Sequence, residues 1–207
     1  MIVRQSDQKT MFYEPHLKNH GLPYNPFKAL IVPRPIGWIS TCDPDGNVNL
    51  APYSYFNGCH TDPPVVMFGV EYSANARMKD TLRNVEQTGE FVCNFVGYEL
   101  REHMNKTATG SAVDEMEWAG LKKLPSRLVR PPRVAASPVH LECRFLQSVA
   151  MPRVESGSHG KVVVGVHIRD DVVVGGIVDF RKLRPIARMG YMDYTEVAAS
   201  FAMERPR

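Results

Sequence analysis

A mainly β fold with inserted helices is what this chain predicts, from two observations. Short apolar runs of strand length, bounded by Pro, Gly and Asp turn signals, recur over residues 29–70 and again over 141–174. Between those two groups lie segments whose apolar residues repeat at helical spacing. There are no internal repeats and no low-complexity tracts, so the arrangement fits a small β-barrel with helical decoration.

The elements follow in order. Residues 1–19 are polar and irregular and are expected to form an arm, residues 20–197 one domain, and residues 198–207 a tail. An apolar run from Ile36 to Ile39 leads into Ser40 and Thr41 at the strand end. Asp43-Pro-Asp-Gly46 then turns the chain, because proline presets φ and glycine accepts positive φ. Residues 48–57 read as one strand-like run rich in hydroxyl, amide and aromatic side chains. Asp62-Pro-Pro64 stops it before a third strand, Val65 to Val70. A helix follows with Met78, Leu82 and Val85 on one face, Gly89 as its stop, and Ser73, Asn75 or Asp80 as its cap. Phe91 to Val96 is a strand, Glu99 to Lys106 a second helix and Val113 to Ala119 a short third one. The prolines at 125, 131, 132 and 138 make residues 120–138 an irregular, stiffened connection. Leu141 to Ala150 and Lys161 to Asp170 read as strands with Gly157-Ser-His-Gly160 turning between them, and Val172 to Val174 as one more.

Composition narrows the function classes. With 207 residues, 43% hydrophobic and 23% charged, the chain can bury one full-sized core and is not a disordered protein. A net charge of +3, with two short basic stretches at 127–133 and 181–188, describes a solvated surface rather than a nucleic-acid face. No apolar stretch approaches membrane-spanning length, so a cytoplasmic protein is expected. The four cysteines lack paired spacing and predict neither a zinc site nor disulfides. Cys93 and Cys143 are expected as buried thiols, and Cys59 is not expected to react. His16 and His20 have helical metal-ligand spacing, but Pro15 and Gly21 bracket them and no third ligand is evident. No metal is expected.

The ordered motifs Arg34-Pro-Ile-Gly-Trp-Ile-Ser-Thr41, Asn49-Leu-Ala-Pro-Tyr-Ser-Tyr-Phe-Asn57, Lys79-Asp-Thr81, Thr88-Gly-Glu-Phe91 with Asn94, Ser137-Pro-Val-His-Leu-Glu-Cys143 and Arg188-Met-Gly-Tyr191 resemble the flavin reductase-like (flavoredoxin-like) FMN-binding family. The resemblance covers roughly residues 20 to 197. It implies an FMN-binding split β-barrel, usually a homodimer with flavin at the subunit interface.

A bound flavin sets chemical demands on particular residues. Its phosphate wants backbone N–H groups, hydroxyls and a cation at a helix start, which Lys79, Asp80 and Thr81 offer. Read without the resemblance, Lys79 is equally a surface lysine and Asp80 a cap. The ring needs hydrogen-bond partners and an apolar floor, chemistry found in Asn49, Ala51, Pro52, Ser54 and Asn57. Side chains two apart share a strand face, so Asn49, Ala51 and Tyr53 lie on one side and Pro52, Ser54 and Phe56 on the other. Backbone groups must therefore supply some contacts. At least one of Tyr53, Tyr55 and Phe56 is expected simply to pack in the core. Ser40 and Thr41 match the family's positions near the flavin, or merely cap the turn that follows them. Arg34 either reaches a phosphate or ribityl group or is exposed. Arg188 and Tyr191 match a family stretch that folds back toward the flavin.

No nucleophile elbow, Gly-rich phosphate loop or Gly-x-Gly-x-x-Gly is present, so no catalytic side chain is assigned and a separate nicotinamide domain is not expected. In a flavin enzyme the cofactor performs the redox step. The expectation is an FMN-dependent oxidoreductase supplied by NADH or NADPH, with no nucleic-acid or membrane partner. The alternative is an FMN carrier or store without nicotinamide turnover. FMN against FAD is left open by the residues themselves.

Overall fold

The computed structural model describes residues 14–70, 78–110, 113–150, 157–174 and 177–203. After a single 3-10 turn at Pro15–Leu17, a short helix α1 (Phe27–Leu30) precedes strands β1 (Arg34–Pro35), β2 (Gly37–Cys42), β3 (Val48–Tyr53), β4 (Phe56–Thr61) and β5 (Pro64–Val70). Helix α2 (Asp80–Thr88), strand β6 (Glu90–Asn94), helices α3 (Arg101–Lys106) and α4 (Glu115–Trp118), and the two-residue strands β7 (Lys123–Leu124) and β8 (Arg133–Val134) follow. The long strands β9 (Val139–Ala150) and β10 (Gly157–Ile168) come next. Then come β11 (Val173–Val174), β12 (Ile177–Val178), α5 (Phe180–Leu183), β13 (Ile186–Arg188) and β14 (Tyr194–Glu196).

Seven antiparallel strands form the main sheet in the order β3-β2-β6-β9-β10-β5-β4. Its two edge strands, β3 and β4, are separated in the chain only by Ser54 and Tyr55. In a flat sheet of seven strands the edges lie about 29 Å apart, whereas this link spans at most about 11 Å. The sheet must therefore curl until its edges approach. They do not pair, so it remains open rather than closing into a barrel. At the crossing point Gly69 N donates to Tyr55 O (2.7 Å), and the Phe56 ring lies against Gly37. A Cβ at residue 37 would come within 2.6 Å of that ring, so the crossing needs a glycine there.

The inside of the curl is filled by Ile39, Tyr53, Val66, Phe68, Val70, Phe91, Cys93 and Cys143, with Leu82 and Val85 of α2 capping it. Phe68 and Phe91 meet edge to face with centroids 5.6 Å apart. A second cluster packs Trp38 and Leu50, from the opposite face of β2 and β3, against Leu100, Met104, Met116, Val134 and Ile186. Both faces of β2 are thus covered and all six of its residues are buried, the hydroxyl-bearing Ser40 and Thr41 included.

Local signals were good guides where the determinant was local. Gly46 has φ 93° and its N–H closes the Asp43 turn at 3.1 Å. Gly89 ends α2 with φ 72°, its N–H bonded to Val85 O. Cys93 and Cys143 are buried as expected. Among the described residues no group of His, Cys, Asp or Glu could hold a metal, and no helix is long and apolar enough to cross a membrane.

Several expectations are corrected. The run at 48–57 is two strands, because the chain leaves one sheet edge at Ser54 and joins the other at Phe56. Ser40 and Thr41 lie inside β2, not at its end. Gly157 to Gly160 is not a turn but the start of β10, paired on both sides, with a register shift at Gly160/Lys161. Glycines in a central strand accommodate such an irregularity as readily as they make turns. The connection over 120–138 contains the small β7–β8 hairpin. It is pinned by the fully buried Glu142, whose two carboxylate oxygens accept from Arg127 N (2.9 Å) and Leu128 N (2.6 Å). Helix α2 is capped by the Lys79 backbone, with Asp80 as its first residue. The other expected caps, Ser73 and Asn75, lie outside the described residues, as do most of the N-terminal arm and the chain between β9 and β10.

Candidate functional site

Strand β3 is an edge strand, and its free side is the organising feature of the site. Leu50 N points away from β2 and donates to Glu115 Oε2 (2.9 Å). In an antiparallel ladder inward and outward backbone groups alternate, so Val48 and Pro52 also face outward. Pro52 has no N–H to leave unpaired there, which is why an edge strand tolerates it. A cleft opens at each end of this edge.

At the start of β3 a cleft of about 450 Å³ lies between β3, the Asp43–Gly46 turn, α2 and α4. Four carboxylates line it, from Asp43, Asp80, Asp114 and Glu115, together with two cations, Arg83 and Lys123. Both cations are already held: Arg83 by Asp80 (2.5 Å), and Lys123 by Asp114 (2.6 Å) and Glu117 (2.9 Å). Those carboxylates hold the Lys123 ammonium above its usual pKa. Burial pushes the Glu115 carboxyl up, partly offset by the Leu50 N–H. Hydrogen bonds from Asn47 hold Asp43 below the usual carboxylate range.

Beneath this cleft lies a neutral polar layer. Asn49 donates to Thr81 Oγ1 (2.8 Å), and Asn84 Nδ2 donates to Thr41 Oγ1 (3.1 Å). Burial pushes the Tyr53 phenol up to about 12, against a lowering hydrogen bond with Thr81. Asn84 is 2% exposed, and its Oδ1 accepts no hydrogen bond among the described residues. A buried acceptor left unpaired is costly, and a donor from a bound molecule would relieve it.

At the other end of β3 a cleft of about 290 Å³ is walled by α1, β1, Pro52 and Ser54, the end of α3, and the β13–β14 hairpin. Arg34 is 5% exposed, so its expected alternative as an exposed side chain is overturned. It donates to Ser54 Oγ (3.3 Å), Ile31 O (2.9 Å), Met189 O (3.0 Å) and Lys28 O. Pairing of β1 with β13 sets Arg34 directly opposite Arg188. Arg188 donates to Tyr191 O and lies 4.5 Å from the Tyr194 ring centroid. Tyr191, with φ 56°, turns the hairpin and rests edge-on against Tyr24.

The expected site residues therefore divide. Arg34, Pro52, Ser54, Arg188 and Tyr191 come together in the second cleft, and Asn49 and Asp80 in the first, with Thr41 and Thr81 beneath it. Ser40 faces the opposite side of β2 from Thr41 and donates to Pro132 O (2.6 Å), so its hydroxyl fastens the proline-rich connection. Ala51 packs against the inner core. Asn57 and Lys79 are exposed and line neither cleft. Sequence reasoning missed Lys28, Arg83, Asn84, Glu115, Lys123 and Tyr194. Asn84 alone had a usable signal, since it follows Thr81 by three residues and so shares its helix face.

A family model described as flavin reductase like domain matches residues 29–187, and the chain belongs to that family. Among its relatives, an uncharacterized protein of Aquifex aeolicus is 36% identical over 198 residues, covering 94% of each chain. Nitrilotriacetate monooxygenase component B from Bacillus cereus superposes with a TM-score of 0.85 at 26% identity, covering 94% of this chain and all of that one. A putative flavin reductase with split barrel domain from Shewanella frigidimarina shares the fold, with a TM-score of 0.76 at 21% identity over 87% of this chain and 89% of that one.

Proposed function

We propose that this protein is a flavoprotein oxidoreductase that binds FMN along the free edge of β3 and accepts electrons from NADH or NADPH. Membership of the flavin reductase-like family supports the flavin. The observation that carries its placement is the outward-facing backbone of β3 beside the buried, unpaired Asn84 Oδ1. In this reading the carbonyls of Leu50 and Pro52 take the polar edge of the ring, and Asn49, Thr81 and Asn84 take the ribityl hydroxyls. The phosphate lies at the start of α2, where the N–H groups of Asp80 and Thr81 are not used within the helix and Lys79 adds a cation. Bound FMN would supply the electron-accepting chemistry, while the chain binds it, orients it and excludes water from one face.

Exposed apolar side chains around α1 and the β13–β14 hairpin, among them Tyr24, Phe27, Leu30 and Met192, support a homodimer. The family match at 29–187 falls within the single domain proposed for 20–197. The test is an absorbance spectrum followed by anaerobic addition of NADH and then NADPH. A yellow protein that bleaches is the expected result. One that stays oxidised is a carrier, and a colourless protein that takes up no FMN overturns the proposal.

A further inference from the structure

We propose that the segment following β14 crosses to a second copy of this chain and seats Phe201 in the cleft between α3 and the β13–β14 hairpin. The observation behind it is a pair of uncovered apolar surfaces. Phe201 (85% exposed), Met203 (81%) and Met192 (79%) are the three most exposed large apolar side chains among the described residues. Two lie on the segment and the third lines the cleft. Beyond Val197, whose N–H donates to Pro185 O (2.8 Å), residues 198–203 are all exposed and belong to no helix or strand. In an extended chain side chains two apart share a side, so Ala199, Phe201 and Met203 present one apolar stripe.

The cleft suits such a stripe. It holds about 390 Å³, within the range of small-molecule pockets, and Tyr98, Met104, Ile186, Met192 and Tyr194 give it an apolar lining. Charged groups in its walls are already engaged. Glu196 accepts from Arg184 Nε (2.6 Å), and the Arg101 guanidinium stacks 3.9 Å from the Tyr98 ring centroid. Methionine thioethers are favourable neighbours for an incoming aromatic ring.

The geometry of the segment selects a second copy over the chain itself. Tyr194, Thr195 and Glu196 of β14 form one wall, so a return within the same chain must reverse direction over residues 197–200. Val197-Ala-Ala-Ser200 contains no Gly, Pro, Asn or Asp, the residues that favour tight reversals. Leaving extended, the same residues reach about 14 Å, enough to enter a neighbour packed against the hairpin. Tyr191, Met192 and Tyr194 of that hairpin are exposed and adjoin the apolar surface assigned to the homodimer. The inference rests on that proposed homodimer and not on the flavin. Two-fold symmetry makes the exchange reciprocal, each copy giving one segment and taking one.

The test has two arms. Sedimentation equilibrium reads the dimer dissociation constant of wild type, a chain ended at Val197, Phe201→Ser and Met192→Glu. Phe201 and Met192 are exposed, so their variants fold. Each of the three changes is expected to raise the constant at least about tenfold, the scale of uncovering one large apolar side chain. Lys123→Ala is expected to leave it unchanged. A wild-type chain that is monomeric throughout overturns the homodimer and the exchange together, whereas a dimer that survives truncation unchanged overturns the exchange alone. In the second arm, Phe201→Cys with Asn105→Cys is oxidised in a Cys59→Ser background. A covalent dimer is expected, because Asn105 lines the cleft. An intramolecular disulfide assigns the cleft to the chain's own segment and overturns the exchange. So does cross-linking no better than that of Phe201→Cys with Asp45→Cys, whose second thiol lies on the β2–β3 turn.

Discussion

At one end of β3 a cleft is lined by four carboxylates and two cations that are already ion-paired, whereas the cleft at the other end is lined by Lys28, Arg34 and Arg188 and, among the described residues, by no carboxylate. The same strand serves both clefts, so the difference comes from what the rest of the chain brings to each end. The acidic cleft is assembled from neighbours on the β2–β3 turn, α2 and α4, whose four carboxylates outnumber the two cations they surround. The cationic cleft is assembled by one long-range pairing, β1 with β13, which sets two arginines face to face. Like charges placed opposite each other destabilise a sheet, and here backbone carbonyls and the Ser54 hydroxyl hold the Arg34 guanidinium while Arg188 bonds Tyr191 O and lies over the Tyr194 ring. The helix start that the sequence offered as a phosphate site is thus the more acidic of the two ends.

The largest effect on this contrast is expected from Arg34→Gln. It removes the guanidinium that ties α1 and β13 to β1, and should cost about 3 kcal/mol in urea denaturation, since hydrogen bonds to charged groups are the strong ones. A loss below about 0.5 kcal/mol would mean that the charge was already as costly as its bonds were favourable.

Next in size is Lys79→Ala, expected to weaken FMN about tenfold by fluorescence titration if the phosphate lies at α2. Affinity within a factor of about two of wild type would show that the phosphate is not held at the start of α2, since the lost contact would then be worth less than a neutral hydrogen bond.

Glu115→Gln probes the acidic end. Burial raises the carboxyl's folded pKa above its unfolded value. Over that window the folded chain binds more protons, so stability falls as pH climbs from the ordinary glutamate range toward the raised value. The amide keeps an acceptor for Leu50 N and carries no charge. The variant's melting temperature should therefore exceed wild type near pH 7, with the gap closing toward pH 4. A gap independent of pH would show that the carboxyl is not the cause.

The smallest effect belongs to Lys123→Ala. Its ion pairs are partly exposed, so about 0.5 kcal/mol is expected, measured as a denaturation midpoint and abolished by 1 M salt. A larger, salt-insensitive loss would mean that the acidic cleft depends on that cation.

Much of the fold was legible because its determinants are local. The Asp43–Gly46 turn, the Gly89 stop, the Asp62-Pro-Pro64 break and the helical face of Leu82 and Val85 each depend on residues a few positions apart. The strand break at Ser54-Tyr55 was not legible, because nothing in that polar, aromatic run marks a crossing between sheet edges. Glycines at 157 and 160 misled for the opposite reason: the same residue that permits a turn also permits a bulge, and only the partners on either side decide. Ser40 and Thr41 looked like one motif, yet strand alternation sends them to opposite faces.

By itself the sequence determined the strand and helix types, most of the turns, and the family, because residue chemistry and short-range geometry suffice for them. Only the tertiary structure decided which charges meet. Lys28, Arg34 and Arg188 are drawn together by strand pairing across more than half the chain, and Asn84 is stranded beside β3 by the packing of α2. Electrostatic character depends on distances through space, which no spacing along the chain reports.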